Sequence, residues 1–143
     1  LAVAGGLAAL AAPSFKQFIL AQRIKSATYE LNASLAYARS EAIMRNRNVT
    51  LGKNGTWAGG WSVASTGTGA ATLRTQDAFK KLVIDNGTDN GVPADVTYDG
   101  SGRTGTSATF RVKVADSSIA NVAPRYVCLS LTGKPYNKES ACP

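Results

Sequence analysis

Cys128 and Cys142 are the only thiols in the chain, and both fall within its last sixteen residues. With no histidine anywhere, a zinc site built on them would need ligands the chain does not own. A disulfide is the natural reading, with two buried reduced thiols as the alternative. The bridge would close a loop of about 15 residues, worth on the order of 3 kcal/mol in the chain-entropy picture, and it implies an oxidising compartment such as a periplasm or cell surface. Between the two cysteines, the segment Thr132-Gly-Lys-Pro-Tyr-Asn-Lys-Glu139 places Lys134, Tyr136 and Lys138 at alternate positions. An extended chain would present two ammonium groups around one aromatic on a single side, which suits phosphate contacts with a stacking surface between them. The competing role is structural: Tyr136 packs on a sheet and the lysines blunt an exposed edge strand.

Catalytic chemistry finds little material. Histidine is missing as a general base and no Gly-x-Ser-x-Gly elbow occurs. Asp95 and Asp99 could form a carboxylate pair, but their spacing puts them at the ends of a short strand, where turn-capping is the commoner role. Asp85-Asn-Gly-Thr-Asp-Asn-Gly91 carries oxygen ligands, yet it departs from the calcium-loop register at the turn glycine and lacks the closing Glu, so a solvated turn is expected. Gly100-Ser-Gly-Arg-Thr-Gly105 fits neither the dinucleotide fingerprint nor the P-loop and reads as a hairpin loop. No catalytic residue, cofactor or metal is expected, and the chain is not read as an enzyme.

At 143 residues, 44% of them hydrophobic, the chain supports one core and no second comfortable domain. Its net charge of +7 is unevenly spread. Residues 1–50 carry six Lys/Arg against two Glu, residues 51–100 carry four against five Asp, and residues 101–143 carry six against two acids. Both ends are therefore basic, a pattern that bears on polyanion attraction and solubility rather than on fold.

The elements that must position these residues divide the chain in three. Residues 1–13 form an uncharged apolar run that would make only about 18 Å of helix before Pro13, short of the roughly 30 Å of a bilayer core. Residues 14–47 show a helical pattern, with Ile24, Thr28, Leu31, Leu35, Ala38 and Ala42 on one stripe and Glu41 four residues before Arg45 for an ion pair. Pro13 removes one backbone donor at the junction, where a kink is expected. Residues 48–143 then change to period-two runs separated by Gly, Asn, Asp and Ser. Strands are expected at residues 49–53, 60–64, 72–76, 79–84, 95–98, 108–115 and 125–131. Phe110, Val112 and Val114 alternate with Arg111 and Lys113, while Val127, Leu129 and Leu131 alternate with Tyr126, Cys128 and Ser130. Such alternation indicates antiparallel sheet with one face in a core. The fold class expected is α+β: a long N-terminal helix packed on an antiparallel head of one or two sheets.

Five segments carry a resemblance that spans almost the whole chain. They are Leu7-Ala-Ala-Leu-Ala-Ala-Pro-Ser-Phe15, Leu35-Ala-Tyr-Ala-Arg-Ser-Glu-Ala-Ile43 followed by Arg45 to Leu51, Gly59-Gly-Trp-Ser-Val63, Tyr98-Asp-Gly-Ser-Gly-Arg103 and Leu129-Ser-Leu-Thr-Gly-Lys134. Together they resemble type IV pilin-like minor pilins and pseudopilins of the GspH/FimT/FimU class. The resemblance implies a pilin-like fold, and a precursor with a short basic leader, a prepilin cleavage site and a methylated mature N-terminus roughly nine residues before Leu1, long enough to span a membrane. It also implies an apolar helix that anchors the subunit in the bacterial inner membrane, head in the periplasm, and then packs against other major and minor pilins in a surface filament. In related FimT proteins a Gly-Arg-x-Arg sequence carries DNA binding. The matching positions here read Gly133-Lys134-Pro135-Tyr136, so Lys134 keeps a phosphate charge without the bidentate fork and Tyr136 replaces the second base. Lys138, Arg103 and Arg125 are further candidate DNA contacts. Three roles follow from the resemblance: a minor pilin that helps initiate or cap a pilus, a DNA receptor for uptake, and a pseudopilin of a type II secretion machine.

Overall fold

A computed structural model describes residues 2–88 and 91–143, with side chains from Ser14 onward. The kink expected at Pro13 therefore lies outside the residues described with side chains. One helix, α1 (Ala2–Arg45, 44 residues), leads into strands β1 (Val49–Asn54), β2 (Thr56–Ser65), β3 (Thr72–Gln76), β4 (Leu82–Asp85), β5 (Val96–Tyr98), β6 (Ala108–Val114), β7 (Arg125–Leu129) and β8 (Pro135–Lys138). The expected helical stripe is the buried one: Ile24, Thr28, Leu31, Leu35, Ala38 and Ala42 are all buried, joined by Leu20 and Ala27. Thr28 belongs there because its hydroxyl donates to the Ile24 carbonyl oxygen at 2.7 Å, which satisfies the one polar group on the stripe. Glu41 and Arg45 form the expected i,i+4 pair at 2.6 Å. The helix ends where Asn46 turns to a φ of 47°, and two bonds close the last turn: Asn46 N–H to the Ile43 carbonyl and Arg47 N–H to the Ala42 carbonyl, both 3.2 Å. This is a Schellman cap with asparagine in the left-handed position.

Two antiparallel sheets of four strands face this helix, ordered β3-β2-β1-β5 and β4-β6-β7-β8. Trp57 of β2 joins them. Its ring meets Phe110 of β6 edge-on at 4.9 Å between centroids, and its indole N–H donates to the Pro93 carbonyl at 2.8 Å. Trp61 stacks on Phe79 at 5.6 Å, and its ring centroid lies 6.3 Å from that of Trp57. The core is thus shared by one helix face and both sheets, so the helix and head form a single packed unit from Ile24 onward.

Two expectations about the C-terminal strands need correction. The strand expected to reach Leu131 stops at Leu129, and Leu131 is 61% exposed rather than in the core. The chain turns there, with Gly133 N–H donating to the Ser130 carbonyl at 2.9 Å, and residues expected as loop return as β8. Cys128, assigned to a polar face by alternation, is buried because the disulfide to Cys142 covers it. Alternation alone sees two faces; it does not see a tail folded over one of them.

On the outer face of the second sheet, cross-strand register lines up Asp85, Arg111, Tyr126 and Lys138 across the four strands. Burial works to raise the Asp85 carboxyl, but hydrogen bonds from Arg111, the Gly87 N–H and Lys113 overcome it and hold the group below its ordinary range. Arg111 is bidentate, with both contacts at 2.8 Å, and Lys113 adds a third at 3.1 Å. A lowered folded-state value means that this carboxylate stabilises the fold above the unfolded value and loses that contribution as pH falls through the folded one.

Trp57→Ala is expected to cost about 3–5 kcal/mol and lower Tm by at least about 10 °C, read by thermal circular dichroism. Asp85→Asn is expected to cost about 2 kcal/mol near neutral pH. In urea titrations its deficit against the wild type should shrink as pH drops below about 4; a deficit independent of pH would exclude the ionised carboxylate as its source.

Candidate functional site

The structure separates the five candidate DNA contacts into two places. Tyr136 pairs with Cys128 and Lys138 with Tyr126 across the β7–β8 hairpin, so Tyr136 and Lys138 share the outer face of the second sheet. The Cys128–Cys142 bridge, with Cα atoms 5.7 Å apart, ties residues 139–143 back over that face. Lys138 is drawn into this tail: its ammonium donates to the Ala141 carbonyl at 3.3 Å. Arg125 is paired with Glu139 at 2.9 Å, which removes it as an open cation. Tyr136 and Lys138 are half-buried on β8, the edge strand of the second sheet.

Lys134 and Arg103 meet elsewhere, at the end of the head nearest the C-terminus of α1. Gly133 adopts a φ of 79°, and a Cβ there would run into the Gly102 carbonyl. A Cβ on Gly102, at φ 75°, would crowd the side chains of Ile43 and Arg39 of the helix, and Arg39 Nε donates to the Gly102 carbonyl at 3.0 Å. Thr104 adds a bond from its hydroxyl to the Ser130 carbonyl at 3.3 Å. Only glycine permits the two loop backbones to approach this closely with those dihedrals while helix side chains pack against them. The exposed side chains of Arg103 and Lys134 flank the contact, and Arg39 rises from the helix beneath it. A groove of about 330 Å³ opens here, lined by Asn32, Ala36, Arg39, Ser40 and Ile43 of α1 with Lys134 and Pro135 of the turn. Arg39 was not a candidate from sequence. Its place off the buried stripe was legible; the glycine junction that it serves was not.

The other carboxylates are structural. Asp99 accepts first from the Ser101 hydroxyl, then from the N–H groups of Arg103 and Ser101, and these hold it below its ordinary range in a tight turn. Asp95 pairs with Lys53 at 3.1 Å. Among the described residues no group of His, Cys, Asp or Glu could hold a metal ion. Asp89 and Asn90 of the oxygen-rich loop lie outside those residues.

On α1, Phe15, Phe18 and Ile19 are exposed ahead of the first buried residue, Leu20. Among the described residues, no helix is long and apolar enough to cross a membrane.

Comparison with known proteins places these features. The model of the family described as type II transport protein GspH matches residues 27–133, the stretch from the buried helical stripe to the Gly133 turn. Two crystal structures of the type IV minor pilin FimU from Pseudomonas aeruginosa (strain PAO1) are similar. One is 26% identical with a TM-score of 0.68, covering 85% of this chain and 93% of that one. The other is 27% identical with a TM-score of 0.65, covering 82% and 96%. No curated protein matches. The shared architecture is a pilin fold, one long helix on two antiparallel four-stranded sheets, and the chain belongs to the GspH family of minor pilins and pseudopilins.

Proposed function

We propose that this chain is a minor pilin that helps initiate or cap a type IV pilus. The observation that carries the reading is likeness to the minor pilin FimU over most of both chains. The subunit works by packing rather than by chemistry. Its N-terminal helix sits in the inner membrane with the head in the periplasm, then leaves the lipid to pack among the helices of other pilins, and the rigid head sets the geometry of the filament end. Exposed Phe15, Phe18 and Ile19 suit both environments, because lipid and a neighbouring apolar helix cover the same side chains. The disulfide fits a head that functions outside the cytoplasm. Deleting the gene is expected to reduce surface pili and twitching severalfold while leaving protein secretion intact. Loss of secretion with normal pili would assign the chain instead to a type II secretion machine as a pseudopilin.

A second reading is a DNA receptor at the pilus tip, favoured by the convergence of Arg103 and Lys134 at the glycine junction. In mobility shifts with duplex DNA, Arg103→Ala with Lys134→Ala is expected to weaken binding by about tenfold and to reduce its salt dependence. Tyr136→Ala and Lys138→Ala, on the covered outer face, should change little. Unchanged, salt-sensitive binding by the double variant would place the contact elsewhere.

A further inference from the structure

Antiparallel pairing points the backbone groups of alternate residues toward and away from the neighbouring strand. β4 lies at one edge of the second sheet, and just before it Ala115 N–H donates to the Lys81 carbonyl at 3.0 Å. Carrying that phase through Val83↔Lys113 and Asp85↔Arg111 turns the backbone groups of Lys81, Val83 and Asp85 into the sheet and those of Leu82 and Ile84 outward. The same phase turns the Lys80 carbonyl and the Asn86 N–H outward, and the chain occupies both. Arg23 donates to the Lys80 carbonyl at 3.5 Å, and Asn86 N–H donates to the Gly91 carbonyl at 3.2 Å. Between these two stops, the outward N–H and C=O groups of Leu82 and Ile84 meet no hydrogen-bond partner among the described residues. Both residues line a groove of about 610 Å³, together with Trp57, Ala58, Val83, Val92 and Ala115. Its size is that of a ligand pocket.

We propose that this groove binds an extended, uncharged segment of another polypeptide, which joins the second sheet as a fifth strand beside β4. The edge selects the chemistry of the occupant. A peptide backbone carries donor and acceptor pairs at a repeat of about 6.8 Å along one side, the repeat that separates Leu82 from Ile84. Sugars and nucleic acids carry no such ladder. Charge complementarity selects a neutral segment: among the described residues the only charged groups lining the groove are Asp85 and Lys113, and they are paired with each other at 3.1 Å. Val83 and Val92, 37% and 57% exposed, offer apolar contact to the segment's side chains. The stops at Lys80 and Asn86 limit the paired stretch to about five residues. The inference does not rest on the filament reading, because it needs only the edge and its groove.

The test is amide hydrogen exchange on the full chain, read by NMR, with the neutral peptide acetyl-Ser-Val-Thr-Val-Ser-amide as the probe. In the free chain the Leu82 and Ile84 amides are expected to exchange at least about tenfold faster than those of Val83 and Asp85. Peptide should slow the first pair by about tenfold or more and leave the second pair unchanged. The same peptide with its valine nitrogens methylated loses the donors needed for pairing and should not protect. Ala115→Trp fills the groove at an exposed position, and Val83→Glu sets a carboxylate under the segment. Each should weaken peptide binding about tenfold with the melting temperature kept, whereas Leu131→Glu, at an exposed apolar position outside the groove, should not. Four results would overturn the assignment: slow exchange at Leu82 and Ile84 in the free chain, equal protection by the methylated peptide, protection at β3 or β8 instead of β4, or equal weakening by Leu131→Glu. Protection that grows with protein concentration and needs no peptide would likewise replace the proposed occupant by a second copy of the chain.

Discussion

Burial of one narrow face of α1 is the constraint on which the rest of the structure depends. Along that face the residues alternate between large aliphatic groups, Ile24, Leu31 and Leu35, and small ones, Ala27, Ala38 and Ala42. The large groups remove apolar surface from water, and the small ones let the sheets come close toward the C-terminal end of the helix. Neither sheet alone covers the stripe, since β1 of the first sheet and β6, β7 and β8 of the second all pack against the helix. Trp57 then couples the sheets to each other through Phe110, and the three layers become one core.

Close approach at the end of the helix has a further effect. Where the loop after β5 and the turn before β8 meet beside the helix, their backbones leave no space for a Cβ at Gly133, and the Ile43 and Arg39 side chains crowd Gly102. Arg39 and Lys134 line the groove beside this junction, and the exposed Arg103 follows Gly102 in the chain. A basic rim beside an apolar groove is thus a consequence of packing and not of any local motif. The outer face of the second sheet is resolved differently: Asp85 draws in Arg111 and Lys113, and the disulfide-bound tail covers the rest. Of the two basic regions, one has its cations drawn into ion pairs and the tail, and the other has no carboxylate among the described residues lining its groove.

Much of this was legible beforehand, and the reasons are local. The buried stripe, the Glu41–Arg45 pair and the alternation in β6 depend on the periods of helix and strand, which hold wherever the element lies in space. The disulfide followed from thiol count. The β8 strand was missed because Pro-Tyr-Asn-Lys carries weak strand propensity, and its pairing is imposed by the hairpin with β7. Leu131 was misplaced because alternation predicts a face without predicting where a strand stops.

The sequence by itself determined the helix and its buried face, the α+β class, the bridge between Cys128 and Cys142 and the family, since each is encoded by residue type and spacing over short distances. Only the tertiary structure decided which cations stand together. Lys134 and Lys138 are four residues apart yet lie in different surroundings, while Arg39 and Lys134, far apart in the chain, line one groove beside the Gly102–Gly133 contact. Charge is a property of residues, but a charged site is a property of distances, and those are set by how helix and sheets share a core.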